Sequence, residues 1–295
     1  MKLLCIGKSG QVARALAERA DASGIVCINV GRPDVDLQRP DSLTAAIEAH
    51  APDFVINTGA YTAVDAAEAD RDTAFSINAK GAGALAAACA AAGIPLIHLS
   101  TDYVFDGTAD RAYRETDAPS PINVYGASKL AGEIAIREAV ERHIILRCSW
   151  VISPFGKNFA KTMLHLAKDR GGASVVDDQI GSPTDAGDIA ATIFQMAAQL
   201  AQPANQDLFG TYHYCGRNHA SWADVAQFIF SVYEEHTNSK IELKRIPSSE
   251  YPTPARRPKN SRLATNKIER AFNVTPLDGT TSVRRTVNRL IDEGI

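Results

Sequence analysis

The chain has 295 residues, 45% hydrophobic and 22% charged, with 20 Gly and 14 Pro; these ordinary globular values exclude a stapled mini-protein and a disordered or fibrous chain. Thirty-one basic against 34 acidic side chains leave a net charge of −3, so no overall field attracts a polyanion and nucleic acid is not an expected partner. Cys5, Cys27, Cys89, Cys148 and Cys215 are odd in number, scattered and free of C-x-x-C spacing, which points to a reducing compartment rather than a disulfide frame or zinc site. Gly7 breaks the apolar start too early for a signal peptide, and no apolar run reaches the ~18 residues of a membrane span. The expectation is a cytoplasmic protein with no membrane partner.

In chain order, strands are predicted at Lys2–Ile6, Ile25–Val30, Asp53–Asn57, Leu96–Ser100 and Ile144–Cys148, mostly apolar runs suited to burial on both faces. Helical patterns at Val12–Ala20, Ser42–Ala49, Thr73–Ala92 and Val124–Arg142 alternate with them. Asp41 is the expected N-cap of the second, and Gly93 with Pro95 stops the third. The alternation predicts an α/β fold, a Rossmann-type doubly wound parallel sheet over residues 1–150. Residues 151–295 predict a smaller α/β substrate-binding region, with a segment near 183–200 returning to the first. Its helices are expected at Phe159–Lys168, Asp185–Leu200, Ser221–Glu234 and Thr280–Ile291, and its strands at Tyr212–Cys215 and Ile241–Ile246. Pro252 to Pro258 cannot hold a helix and reads as a basic loop.

Gly7-Lys8-Ser9-Gly10-Gln11-Val12-Ala13 follows the first strand and opens the first helix, so outward N–H groups stand where a pyrophosphate is held in dinucleotide folds. A side chain at Gly10 would block that phosphate. The second strand usually ends in an acid that accepts the adenosine ribose hydroxyls. Here Asn29 takes that place and Arg32 follows, a pairing that leans toward NADPH over NADH because a guanidinium binds a 2′-phosphate well.

Thr101 lies at the carboxyl end of the fourth strand, where open α/β sheets place ligands. Tyr125 and Lys129 sit at i and i+4 of the next helix and share a face; Ala127, Leu130, Ala131 and Ile134 are expected on the opposite, core-facing side. An ammonium near a phenol favours the phenolate, so Lys129 is expected to lower the pKa of Tyr125. Thr101 would bond a substrate oxygen, Tyr125 give it a proton and Lys129 hold the ribose: the parts for ketone reduction by a nicotinamide. His98, in an apolar strand, reads as a satisfied core histidine. Asp65, Glu68 and Asp70 read as a solvated helix start.

These segments, with Asn57 to Asp65, Ser100 to Gly107, Asn123 to Glu133, Arg147 to Val151, Asn158 to Met163, Asp178 to Thr184 and Arg257 to Ser261, resemble the dTDP-4-dehydrorhamnose reductase family of the extended short-chain dehydrogenases/reductases. The resemblance spans nearly the whole chain. It implies reduction of the C4 ketone of dTDP-4-dehydro-L-rhamnose to dTDP-L-rhamnose by NADPH or NADH, with Thr101, Tyr125 and Lys129 catalytic. It implies cofactor contacts at Gly7, Gly10, Gln11, Val12, Asn29, Asp36, Leu37, Ala60, Tyr61 and Thr62, beside Arg32, and substrate contacts at Thr101, Asp102, Trp150, Arg257 and Asn260. The chain departs from the pattern at Ala13, Asn29, Gly59 and Tyr61. Some relatives dimerise through acidic side chains and magnesium, with one carboxylate on the first helix. Here that helix reads Ala13-Arg14-Ala15-Leu16-Ala17-Glu18, so no metal ligand is assigned. A homodimer, and a transient contact with the preceding 3,5-epimerase, stay open.

Related dehydratases need two adjacent carboxylates after the catalytic Thr, and Asp102 is followed by Tyr103, whose pKa lies ~6 units higher. Elimination is therefore disfavoured. The remaining alternatives are reduction of another nucleotide-linked 4-keto-6-deoxy sugar and, since a relative serves methionine adenosyltransferase, a regulatory subunit without catalysis.

Overall fold

The computed structural model describes the backbone of residues 1–295 and every side chain except that of Ala22. In chain order the first half gives β1 (Lys2–Ile6), α1 (Gln11–Ser23), β2 (Val26–Val30), α2 (Pro40–His50), β3 (Phe54–Asn57), α3 (Val64–Ala69) and α4 (Arg71–Phe75). A π-turn, Ser76–Gly81, joins α4 to α5 (Ala82–Ala92), and β4 (Leu96–Thr101), α6 (Val124–Ala139) and β5 (His143–Cys148) follow. Then come β6 (Val151–Ile152), α7 (Phe159–Arg170), β7 (Gly172–Val176), β8 (Ile180–Gly181), β9 (Thr184–Asp185), α8 (Ala186–Leu200) and β10 (Gly210–Tyr214). The chain ends with β11 (Ala220–Ser221), α9 (Trp222–Thr237), β12 (Glu242–Ile246), α10 (Asn266–Phe272) and α11 (Gly279–Asp292).

Six parallel strands form the central sheet in the order β10-β5-β4-β3-β1-β2. Successive side chains leave a strand on opposite faces, which splits each apolar run between two layers. Leu3, Cys5, Phe54, Ile56, Ile144 and Leu146 pack with α1 and α8. Leu4, Ile6, Val55, Leu96 and Ile145 pack with α2, α5 and α6 on the other side. A third cluster joins α7, α9 and α11 into a smaller lobe beside the paired strands β7 and β12.

The chain does not divide at residue 150 in a single cut. Strand β10, expected in the smaller region, is the outer strand of the central sheet beside β5, with Tyr214 opposite Cys148. Its Tyr212 and Tyr214 are core residues packed with α8 and Phe272 of α10. The α2 start also differs from expectation: Arg39 is the N-cap, Pro40 occupies the first turn and Asp41 lies inside it. Pro is pre-set for that position, since it lacks the N–H that has no partner there. Among the described residues, no helix is long and apolar enough to cross a membrane.

Candidate active site

The turn after β1 is built on two glycines with different duties. Gly7 has φ +139, and a Cβ there would collide with Thr58 Oγ1 of the turn after β3. Gly10 is the N-cap of α1 with ordinary φ −67 and no capping side chain, and a Cβ on it would meet nothing within 4 Å. A helix end with no capping side chain and open space before it suits an anion. Gln11 reaches sideways, accepting from Ser153 Oγ at 2.8 Å, while Val12 and Ala13 are core. Asn29 donates to the Ala13 carbonyl at 2.6 Å, fastening β2 to α1. Arg32 is exposed in the following loop.

Asp36 caps its own turn through Gln38 N at 3.0 Å. Leu37 is a core residue packed beside Gly59 and Gly81, not an open contact surface. Ala60 and Tyr61 are partly exposed and Thr62 is exposed. Their loop is held by Asn78, an unforeseen residue on the π-turn. It accepts from Tyr61 N at 2.8 Å and donates to Tyr61 O at 3.0 Å and to Ser128 Oγ of α6 at 2.9 Å.

Thr101 closes β4, donating to Asp102 Oδ1 at 3.1 Å and accepting from Tyr103 N at 3.1 Å. Tyr125 stands on the first turn of α6, edge-on to Tyr103 at 5.7 Å, with the Thr101 hydroxyl beside its phenol. That helix is anchored by Asn123, which accepts from Gly126 N at 2.7 Å, and by Glu68, which accepts from Val124 N at 2.8 Å. The face expected for its core is reversed. Lys129, Ser128, Gly132, Glu133 and Ile136 are buried, whereas Ile134 is 47% exposed and Ala127, Leu130 and Ala131 only partly covered. Polar partners decide this: Arg147 of β5 and Ser100 of β4 bind Glu133, and Lys129 donates to the Leu99 carbonyl at 2.7 Å.

The expected lowering of the Tyr125 pKa is also overturned. Burial pushes the phenol above its ordinary range, with the charge of Asp102 adding to it, and the Thr101 hydroxyl offsets only part. The Lys129 ammonium position is turned away, toward Leu99 and His98. Burial likewise raises Asp102 to about 6 despite the hydroxyls of Ser261 and Thr101, and its Oδ2 is buried without a hydrogen-bond partner.

Tyr103 opens onto a cleft of about 1430 Å³ whose walls include Phe159, Gln179, Trp222, Tyr251 and Arg257. Trp150, expected at the substrate, lies behind this wall. It is stacked on Trp222 at 3.5 Å and backed by Gly181, where any side chain would strike its indole. Of the two indoles, Trp222 faces the cleft; its helix was legible in the sequence and its stacking partner was not. Arg257 lines the cleft, held by Asp65 at 2.7 Å and 3.0 Å; Asp65 is thus an ion-pair partner and not a merely solvated residue. Glu68 and Asp70 are engaged too, Asp70 accepting from Tyr61 Oη at 3.3 Å. Asn260, also expected at the substrate, is saturated by protein. It donates to Ala109 O and Arg111 O at 2.8 and 2.7 Å and accepts from Arg262 Nε at 2.8 Å.

A doubly wound parallel sheet with a glycine turn after its first strand, and Thr, Tyr and Lys at the mouth of its fourth, is the plan of a short-chain dehydrogenase/reductase. Residues 1–292 match the RmlD substrate binding domain family. The chain is 45% identical over 294 residues to a dTDP-4-dehydrorhamnose reductase of Sinorhizobium fredii, covering 100% of this chain and 99% of that one. It superposes with a TM-score of 0.90 on a dTDP-4-dehydrorhamnose reductase of Clostridium acetobutylicum, at 31% identity, covering 99% and 100% of the two chains. The Bacillus anthracis dTDP-4-dehydrorhamnose reductase, solved in complex with NADP, gives 0.88 at 34% identity over 99% and 100%. The chain belongs to the dTDP-4-dehydrorhamnose reductase family.

Proposed function

We propose that the protein reduces the C4 ketone of dTDP-4-dehydro-L-rhamnose to dTDP-L-rhamnose with NADPH, Tyr125 serving as the acid. The observation that carries this reading is the meeting of Tyr125 and Thr101 at the carboxyl edge of the sheet, beside the cleft of the smaller lobe. Gly10 and the uncapped start of α1 fit a pyrophosphate, and the exposed Arg32 fits a 2′-phosphate. When bound, the dihydronicotinamide supplies the hydride.

The residues of the chain manage the proton. Thr101 Oγ1 donates to the substrate oxygen, exchanging its bond to Asp102 for that one. Burial keeps the Tyr125 phenol protonated at neutral pH, which suits a donor to a newly formed alkoxide, since the alkoxide is the far stronger base. Trp222, Phe159 and Tyr251 wall the nucleotide-sugar cleft, and Arg257 stands at its rim for the diphosphate. The five free cysteines fit a reducing, cytoplasmic setting.

The purified protein should oxidise NADPH on addition of dTDP-4-dehydro-L-rhamnose. Tyr125→Phe should lower kcat by about 10²- to 10⁴-fold with NADPH affinity kept. A wild-type protein that binds NADPH but turns over nothing would instead favour the regulatory-subunit reading.

A further inference from the structure

The backbone of loop 253–258, at the rim of the cleft, is fixed at three points. Ala255 N donates to Asp65 Oδ1 at 3.2 Å, and the Arg256 carbonyl accepts from Asn123 Nδ2 at 2.8 Å. Pro258 packs on Gly107, where any Cβ would strike it. What the backbone leaves free is the long, rotamer-rich side chain of Arg257. Asp65 of α3 removes that freedom. Its two oxygens accept from Arg257 Nη1 at 3.0 Å and Nη2 at 2.7 Å, and Thr253 Oγ1 accepts from Nη1 at 2.5 Å.

A guanidinium offers two forks of parallel hydrogens. The end fork takes one hydrogen from each Nη; the side fork is Nε–H with the second hydrogen of Nη2. Arg147 uses its side fork on Glu133. In Arg257 the end fork is filled by Asp65, and Thr253 and Ala255 take only Nη1. The side fork is left for what enters from the cleft, with the Tyr103 hydroxyl as neighbour. Two such hydrogens match two oxygens of a phosphoryl group. The bonds from Arg257 also hold the Asp65 carboxyl below its ordinary range, so the pair is ionised at neutral pH.

We propose that Asp65 is a positioning residue for substrate binding, which occupies the end fork of Arg257 so that the side fork is presented to the diphosphate of the nucleotide sugar. The identity of the ligand rests on the reductase reading; the ordering of Arg257 does not. Glu68 of the same helix accepts from Val124 N at 2.8 Å, so the element that aims Arg257 also anchors the turn of α6 carrying Tyr125.

The sign of the effect distinguishes this role from mere proximity. A carboxylate that only stands near a diphosphate repels it and weakens binding. A carboxylate that orders the guanidinium before the ligand arrives strengthens binding, because less freedom is lost on association.

Calorimetry with dTDP as the probe reads that sign. In Asp65→Asn the amide NH₂ opposes one Nη of Arg257 and the end fork is broken. The Kd for dTDP should rise roughly 10-fold or more, the loss of one charge-assisted bond, and the KM for the sugar nucleotide should rise more than kcat falls. Arg257→Ala should lose at least as much, and adding Asp65→Asn to it should cost nothing further. In ¹⁵N NMR of the full chain, hindered rotation should give Arg257 separate Nη1 and Nη2 signals that merge in Asp65→Asn. Equal or tighter dTDP binding by Asp65→Asn, an equal loss with and without Arg257, or merged signals in the wild type would overturn the positioning role. Reductase turnover with dTDP affinity unmoved by Asp65→Asn would remove that role and leave the reductase reading intact. Asp65-dependent dTDP binding without turnover would remove the reductase reading and leave the positioning role standing.

Discussion

Arg147 grips Glu133 with two parallel bonds, Nε to Oε1 at 2.9 Å and Nη2 to Oε2 at 2.6 Å, where neither side chain is more than 2% exposed. Ser100 donates to the same carboxylate at 2.6 Å and Arg137 at 2.8 Å. This carboxylate joins α6 to β4 and β5 at the depth of the proposed acid.

Removing one partner leaves the other charged and buried, so Arg147→Met should cost roughly 3–5 kcal/mol in urea unfolding. The double variant Arg147→Met with Glu133→Leu should cost less than that single change. Burial alone would raise the Glu133 carboxyl, but the bonds and charge of Arg147, with Ser100 and Arg137, outweigh it and hold the carboxyl low. Its contribution is therefore complete above the unfolded value of ~4.3 and is lost as pH falls through the lower folded value. Acid unfolding midpoints of wild type and Arg147→Met should converge in that range.

Gly7 and Gly10 separate fold from ligand. Gly7→Ala places a side chain at φ +139 against Thr58 and should lower stability by roughly 2–4 kcal/mol. Gly10→Val has room and an ordinary backbone, so its Tm should stay within about 2 °C of wild type. Its Kd for NADPH should nevertheless rise at least ~10-fold, because the new side chain fills the space before the helix end. Equal calorimetric binding by Gly10→Val would remove the glycine turn from the cofactor site.

Asp102 carries the opposite pH signature to Glu133. Its folded value near 6 lies above the unfolded ~3.9, so its favourable state is complete below ~3.9 and lost as pH rises through 6. At about pH 7.5 the native state bears a cost on the order of 3 kcal/mol for this buried charge. Asp102→Asn should raise Tm at about pH 7.5 and leave it nearly unchanged at about pH 4. The same variant should lower kcat/KM if the unpaired Oδ2 meets a sugar hydroxyl. A Tm gain of equal size at both pH values would contradict the buried-charge account.

Where burial is two-sided and local, the sequence was enough. Lys2–Ile6 and Phe54–Asn57 are runs that only a covered sheet accommodates, and the glycine turn follows at once. Thr101 and Tyr125 could be placed because strand ends and helix starts are written locally. The buried face of α6 could not. Its apolar residues pointed one way, and the partners that drew Lys129 and Glu133 inward stand on β4 and β5. The surroundings of Asn260 and Trp150 were not legible for the same reason: the carbonyls that saturate one and the indole that covers the other come from remote segments.

The outermost strand of the sheet, Gly210–Tyr214, bears on synthesis of the chain as well as on its shape. A nascent polypeptide that has emerged only through Cys148 has made five of the strands and leaves the hydrogen-bonding edge of β5 without its neighbour. That edge is a template for any other extended chain until Tyr214 is available to cover it. The ribosome must therefore deliver α7 and β7 of the smaller lobe before the cofactor-binding sheet is sealed, while α9, β12 and α11 of that lobe are still to come.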